Sequence, residues 1–226
     1  MIGAFVLALL LSDEVIDGKR FTFATVDPKT DDIRLFWKSP RGVPYRNFAA
    51  IEKELGTSLQ FAMNAGIFTR VLAPEGLHVE DGRQLVPLNT RRCRRCGNFY
   101  VQPNGVFSIT KSGKASIVET DAFTNRNIRV AVQSGPLLAK SGKVLPAFPA
   151  TSQLTTTRNG AGVTKDGHVI FAIARDPVNM HDFAAALIKR GARDVLYFDG
   201  TISGAKTPNA TWGTSNYVGM IGVVKP

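Results

Sequence analysis

Apolar residues recur at every second position in three stretches of the chain: Ile33, Leu35 and Trp37; Leu59, Phe61 and Met63; Val130 and Val132. Side chains of a strand alternate between its two faces, so this spacing predicts strands with one buried face. Residues 169–174 and 195–198 are apolar throughout, which predicts strands covered on both faces in the middle of a sheet. Turn dipeptides suited to positive φ punctuate the strands: Asp81-Gly82, Asn104-Gly105, Ser112-Gly113, Ser141-Gly142 and Asp166-Gly167. Hairpins should account for much of the chain.

Two segments keep a helical period instead. In residues 45–55, Phe48, Ile51 and Leu55 form one stripe, and Gly56 supplies a stop. The second helix has fuller punctuation: Asn179 as cap, Asp182 in the first turn, Phe183, Ala184, Leu187 and Ile188 as apolar face, Lys189 and Arg190 near the end, and Gly191 beyond it. It leads directly into the strand at 195–198. With no internal repeat or long linker, the pattern predicts a single α+β domain: a large mixed, mainly antiparallel β-sheet with a few packed helices.

Composition adds little to the fold but constrains partners. A chain of 226 residues can bury one substantial core. Lys and Arg number 28 against 18 Asp and Glu, a net charge of +10 that favours anionic partners such as phosphate diesters. Nucleic acid is not expected, because Arg91, Arg92, Arg94 and Arg95 sit together in one loop without the aromatic interleaving of a nucleic-acid module. Within that loop Cys93 and Cys96 read as a local disulfide of an oxidising compartment or as two idle thiols; a zinc site would need two further ligands. Residues 2–11 are continuously apolar, with no Lys or Arg before them. They fit an export signal, an uncleaved anchor or a buried first strand, with residues 12–226 as the domain proper. Export is the reading taken, which places the protein in the periplasm or outside the cell.

Four short segments join a strand end, a glycine and a polar side chain: Asn64-Ala65-Gly66-Ile67-Phe68, Gln133-Ser134-Gly135-Pro136, Arg158-Asn159-Gly160-Ala161-Gly162 and Asp199-Gly200-Thr201-Ile202-Ser203. Sharp turns at strand ends let polar side chains converge while the strands stay rigid, so the four suggest one pocket. In this order and spacing the segments resemble the phosphodiester glycosidase family. Glu75-Gly76-Leu77-His78-Val79 and the stretch 97–107 look like its bacterial branch. The resemblance implies a sheet-based α+β domain that hydrolyses a sugar phosphodiester, with Asn64, Ser134, Arg158 and Asp199 pointing into its pocket. Thr201 and Ile202 depart from the glycine run that often follows the aspartate in the family. Val163 and Thr164 stand where the animal enzyme carries His-Asp.

The chemistry of a glycosyl phosphodiester assigns a role to each residue. The Arg158 guanidinium matches phosphate oxygens in a bidentate fork. Asp199, at the carboxyl end of an apolar strand, is the candidate general base or nucleophile. Asn64 and Ser134 are candidates to bind sugar or phosphate, with Asn159 and Ser203 beside them; Gly66, Gly135 and Gly200 would let backbone N–H groups approach an anion. A departing phosphate monoester has a second pKa of about 6 and needs little help from an acid, so one carboxylate can suffice. Glu75 and Glu80 are the candidates for a second. His78, His168 and His181 read as ordinary histidines, and no cofactor or metal is required. The expected partner is a small or polymeric sugar phosphate, with envelope association; oligomeric state is not set by the sequence.

Overall fold

The structure is a computed structural model that describes residues 9–213 and 216–225. It contains three sheets and two α-helices. A seven-stranded sheet runs in the order β1 (Leu10–Ile16), β2 (Lys19–Val26), β13 (Val169–Val178), β12 (Thr156–Thr164), β14 (Ala192–Asp199), β10 (Leu137–Lys140) and β11 (Lys143–Val144). A five-stranded sheet runs β16 (Thr211–Trp212), β15 (Ala205–Lys206), β4 (Leu59–Asn64), β17 (Met220–Val224) and β3 (Asp32–Phe36). A second five-stranded sheet runs β6 (Arg83–Val86), β5 (His78–Glu80), β9 (Ile128–Ser134), β7 (Gly105–Thr110) and β8 (Ala115–Glu119).

The expected antiparallel character holds, while the expectation of one large mixed sheet is corrected: the described strands form three sheets, and every pairing among them is antiparallel. Hairpins produce antiparallel neighbours by construction. The crossover of β13, helix α2 (Met180–Lys189) and β14 does carry two strands in the same direction, but β12 lies between them and pairs antiparallel with each.

Four phenylalanines mark where the sheets meet. Phe171 of β13 stacks on Phe61 of β4 at 6.0 Å and meets Phe107 of β7 edge-on at 5.8 Å; Phe107 also meets Phe198 of β14 at 6.1 Å. Helix α2 covers the opposite face of the seven-stranded sheet, packing Phe183, Ala184 and Leu187 with Phe21, Phe23 and Tyr197. Coverage on both faces explains why β13 and β14 are apolar at successive positions, and both lie inside the sheet as expected. Gly160 on β12 permits this packing: a Cβ there would meet the Leu196 carbonyl at 2.4 Å and the Phe183 ring at 3.1 Å.

Other local expectations divide. Asn179 caps α2 by accepting from the Asp182 N–H at 2.8 Å. Helix α1 (Phe48–Leu55) ends at left-handed Gly56 but starts later than the expected span 45–55, because Asn47 caps it by accepting from the Ala50 N–H at 2.9 Å. Asp81-Gly82 and Ser141-Gly142 take positive φ at both residues. Asp17-Gly18 does the same between β1 and β2, a hairpin whose Asp-Gly signal is equally plain. Asn104-Gly105 forms no hairpin turn, since Gly105 opens β7 in extended backbone.

Of the alternating strands, β3 exposes Arg34 between buried Ile33 and Leu35, whereas β4 and β9 are buried on both faces over most of their length. On β9, Gln133 is buried because its amide is saturated: Oε1 accepts from the N–H groups of Leu77 and Asn89, and Nε2 donates to Asn89 O and Thr120 Oγ1. Leu10 and Leu11 of the apolar N-terminal run open β1; residues 2–8 of that run lie outside the described residues.

Candidate active site

β14 ends at Asp199, and the groups that hold this carboxylate come from distant parts of the chain. Asn159 pairs with it across the ladder from β12, while Asn64 reaches it from the end of β4, so the site sits where two sheets meet. Asn64 Oδ1 accepts from Asn159 Nδ2 at 2.8 Å and from the Gly204 N–H at 2.9 Å. With its oxygen doubly occupied, the Asn64 amide turns its nitrogen to Asp199 Oδ2 at 2.9 Å. The Gly200 N–H donates to Asp199 Oδ1 at 2.7 Å. Burial pushes the Asp199 carboxyl up from 3.8 to about 6, with the Gly200 N–H and Asn64 amide pulling the other way.

Asp199 borders a cavity of about 670 Å³ and is the one carboxylate among its described lining residues. Arg158 lines the same cavity from the preceding position on β12 to Asn159; because neighbours on a strand face opposite ways, one side chain enters the cavity and the other supports Asn64 from behind. Arg158 Nε donates to the Val178 carbonyl at 2.8 Å and Nη2 to the Leu154 carbonyl at 2.9 Å. A guanidinium has five N–H donors, so these bonds fix its plane and leave others for an anion. Burial lowers its pKa, offset in part by Tyr197, and it remains a cation at any working pH. Among the described residues no Lys or Arg pairs with Asp199 and no carboxylate pairs with Arg158.

Tyr197 lies two residues before Asp199 and therefore on the same face of β14. Its ring centre is 5.6 Å from the Arg158 guanidinium carbon, and its hydroxyl accepts from Asn98 Nδ2 at 3.3 Å. Burial, followed by the nearby Asp199 charge, pushes the phenol up to about 12, so it stays protonated. Gly200 is required here by contact: a Cβ would lie 2.4 Å from the Tyr197 hydroxyl.

The structure thus brings Asn64, Arg158, Asn159, Asp199 and Gly200 together, with Arg158, Asp199 and Gly200 facing the cavity and Asn64 and Asn159 behind. The other sequence candidates lie elsewhere. Ser134 is fully buried and donates to the Phe198 carbonyl at 3.2 Å. Gly66 packs against Val132, and Gly135 against Asn104 and the Phe99 carbonyl. Ser203 is buried and donates its N–H to the Gly200 carbonyl at 2.7 Å, shaping the turn after Asp199. Glu75 accepts from the Tyr100 hydroxyl, and Glu80 pairs with His78 at 2.8 Å. Neither glutamate lines the cavity.

Sequence reasoning missed Tyr197, Asn98 and His181 as lining residues. The two-residue spacing from Asp199 could have found Tyr197. His181 follows the Asn179 cap, in the first turn of α2, whereas nothing local marks Asn98. Among the described residues no group of three or more His, Cys, Asp or Glu converges as metal ligands do. Cys93 and Cys96 are joined by a disulfide.

Comparison with known proteins bears on this arrangement. A family model described as phosphodiester glycosidase matches residues 57–209, a span that contains every residue of the site. The chain belongs to the phosphodiester glycosidase family. An uncharacterized relative in this comparison, YigE of Escherichia coli strain K12, is 36% identical over 197 residues, covering 85% of this chain and 75% of its own length.

Two solved structures share the fold. The catalytic domain of zebrafish N-acetylglucosamine-1-phosphodiester alpha-N-acetylglucosaminidase, auto-inhibited by its pro-peptide, matches 96% of this chain and 82% of its own, with TM-score 0.67 at 15% identity. A hypothetical protein from Synechocystis matches 96% of this chain and 62% of its own, with TM-score 0.59 at 14% identity. A family named for glycosidase activity is a family of hydrolases.

Proposed function

We propose that this phosphodiester glycosidase releases the sugar from a glycosyl phosphodiester of the N-acetylglucosamine 1-phosphodiester type, in envelope or exported glycans. The observation that carries the reading is a half-buried, amide-held Asp199 bordering the same cavity as a buried Arg158, with neither charge spent on the other. Arg158 binds the phosphate. Water attacks the anomeric carbon, its proton passes to the Asp199 carboxylate, and the bond from that carbon to the phosphate oxygen breaks with its electron pair on the departing monoester. The Asn64 amide aims the carboxylate, and Tyr197, protonated throughout, donates to substrate oxygen. Because Asp199 must be ionised to accept the proton, activity rises as pH increases through about 6. A periplasmic or extracellular location agrees with the Cys93–Cys96 bridge, which favours an oxidising compartment.

Hydrolysis of an alkyl diester of N-acetylglucosamine 1-phosphate in the presence of chelator tests this. Wild type should release free sugar, Asp199→Asn should lose roughly a thousand-fold in kcat, and Arg158→Ala should raise KM roughly ten- to a hundred-fold. Oxygen-18 water should label the sugar. Label in the phosphate would move the attack to phosphorus. Absence of release across a panel of sugar diesters, with binding intact, would make the protein a binding module for anionic cell-wall glycans.

A further inference from the structure

The cavity over Asp199 is polar on its floor and apolar on one wall. That wall is built by Val101, Phe148, Pro149, Leu154, Met180 and Ile202. Among the described residues eight large apolar side chains are exposed, and most are scattered: Leu10 and Val15 on the edge strand β1, Val43, Val71 and Leu72 in loops. Val101 at 39%, Leu154 at 80% and Ile202 at 37% exposure come from three separate loops and border this one cavity. Single exposed apolar residues mean little, but a cluster rimming a polar site marks a surface meant to be covered.

The wall is also fastened in place. The Leu154 carbonyl holds Arg158 Nη2 at 2.9 Å, and Asn179 Nδ2 donates to the carbonyls of Ala150 and Ser152, each at 3.1 Å. One asparagine therefore caps α2 with its oxygen and anchors the loop bearing Leu154 with its nitrogen. Leu154 is exposed because the backbone holds it there. Its direct tie to Arg158 means that a phosphate on the guanidinium has the apolar wall at its side.

We infer that the alcohol side of the substrate's phosphodiester is an alkyl chain, which lies along this wall while the sugar occupies the floor by Asp199. A second sugar would need a hydrogen-bond partner for each hydroxyl, and these six side chains have none to give. The inference deepens the hydrolase reading and rests on it. The products are then free sugar and an alkyl phosphate, a detergent-like monoester. A reaction joining a sugar phosphate to an apolar alcohol must supply such a substrate.

The test compares methyl, butyl and octyl diesters of N-acetylglucosamine 1-phosphate, each below its micellar concentration. KM should fall by at least about ten-fold from methyl to octyl, a fraction of what full burial of seven methylenes would give. In Leu154→Ser/Ile202→Ser, both positions being solvent-exposed and tolerant, that ratio should shrink to about two-fold. A flat series in wild type, or a gradient that persists in the double variant, would overturn the inference. If no diester is hydrolysed, calorimetric binding of octyl against methyl phosphate separates the two ideas. A chain-length gradient there, lost in the double variant, keeps the apolar wall while the hydrolase reading falls; equal binding sinks the wall. Sedimentation of the protein with phosphatidylcholine vesicles, undiminished by octyl phosphate, would assign the rim to a membrane surface instead.

Discussion

Two clefts of this molecule differ in the one property that matters for chemistry. The larger, about 1330 Å³, opens beside β3 and the β5–β6 hairpin and is crowded with charge, including Asp32, Arg34, Lys38, Glu80, Arg83 and Arg129. Its charges are largely engaged with other groups of the protein. Arg34 bonds Asp32 at 2.5 Å, Glu80 holds His78, Lys38 sits 3.9 Å above the Trp37 ring, and Arg129 donates to the Ile33 carbonyl at 2.8 Å. The smaller cleft, about 670 Å³, holds Asp199 and Arg158 without pairing them. Volume and charge count favour the larger cleft, the unpaired Asp199 and Arg158 the smaller. What distinguishes the smaller one is a carboxylate raised to about 6 by burial and steadied by neutral amides, which costs stability and keeps its charge available.

After loss of Asp199 itself, the largest expected effect comes from removing the amide that steadies this carboxylate. Asn64→Ala should lower kcat by about 100-fold through misplacement of Asp199. It should also move the acidic limb of the pH profile upward, because the lost hydrogen bond had been lowering the carboxyl pKa. A lower kcat with the limb unmoved would show that the amide only supports the fold.

Next in size is a stability change with a defined pH window. The folded pKa of Asp199, about 6, lies above the ordinary 3.8, so between these values the native state binds more protons than the unfolded chain and stability falls as pH rises. At pH 7.5, Asp199→Asn should raise the unfolding free energy by on the order of 2 kcal/mol, at about 1.4 kcal/mol per pKa unit. At pH 4 the two proteins should unfold alike. Denaturant unfolding at both pH values measures this, and a wild-type-to-variant difference independent of pH would contradict it.

The smallest effect belongs to the larger cleft. Arg34→Ala breaks an exposed pair and should change stability by about 0.5 kcal/mol or less, with diester hydrolysis unaltered. A loss of activity there would erase the contrast between the clefts.

The parts of this molecule that were legible beforehand are those whose cause is local. Asn179 and Gly191 punctuate α2, Asp81-Gly82 and Ser141-Gly142 close hairpins, and the unbroken apolar runs of β13 and β14 lie inside a sheet. Asp199 was legible for the same reason, as a carboxylate one residue beyond an apolar strand and one before a glycine. Ser134 looked equally ready to reach a ligand, in a segment that also carries Gln133. Whether a polar side chain at a strand end faces a cavity or a neighbouring sheet depends on what packs against it, and both of these are buried with partners.

The sequence by itself therefore determined the strand ends, the caps, the hairpins and a family membership carried by four short segments in order. Only the tertiary structure decided which polar residues border the cavity and which are buried with partners. It divided the strands among three sheets and placed β12 between β13 and β14, so that both pair with it antiparallel. It set Asn64, 135 residues away in sequence, against Asp199, and turned Arg158 and Asn159 to opposite sides of one strand. The physical reason is that a pKa, an unpaired charge and a cavity wall are all properties of distance between segments, and distance between segments is what a linear pattern does not contain.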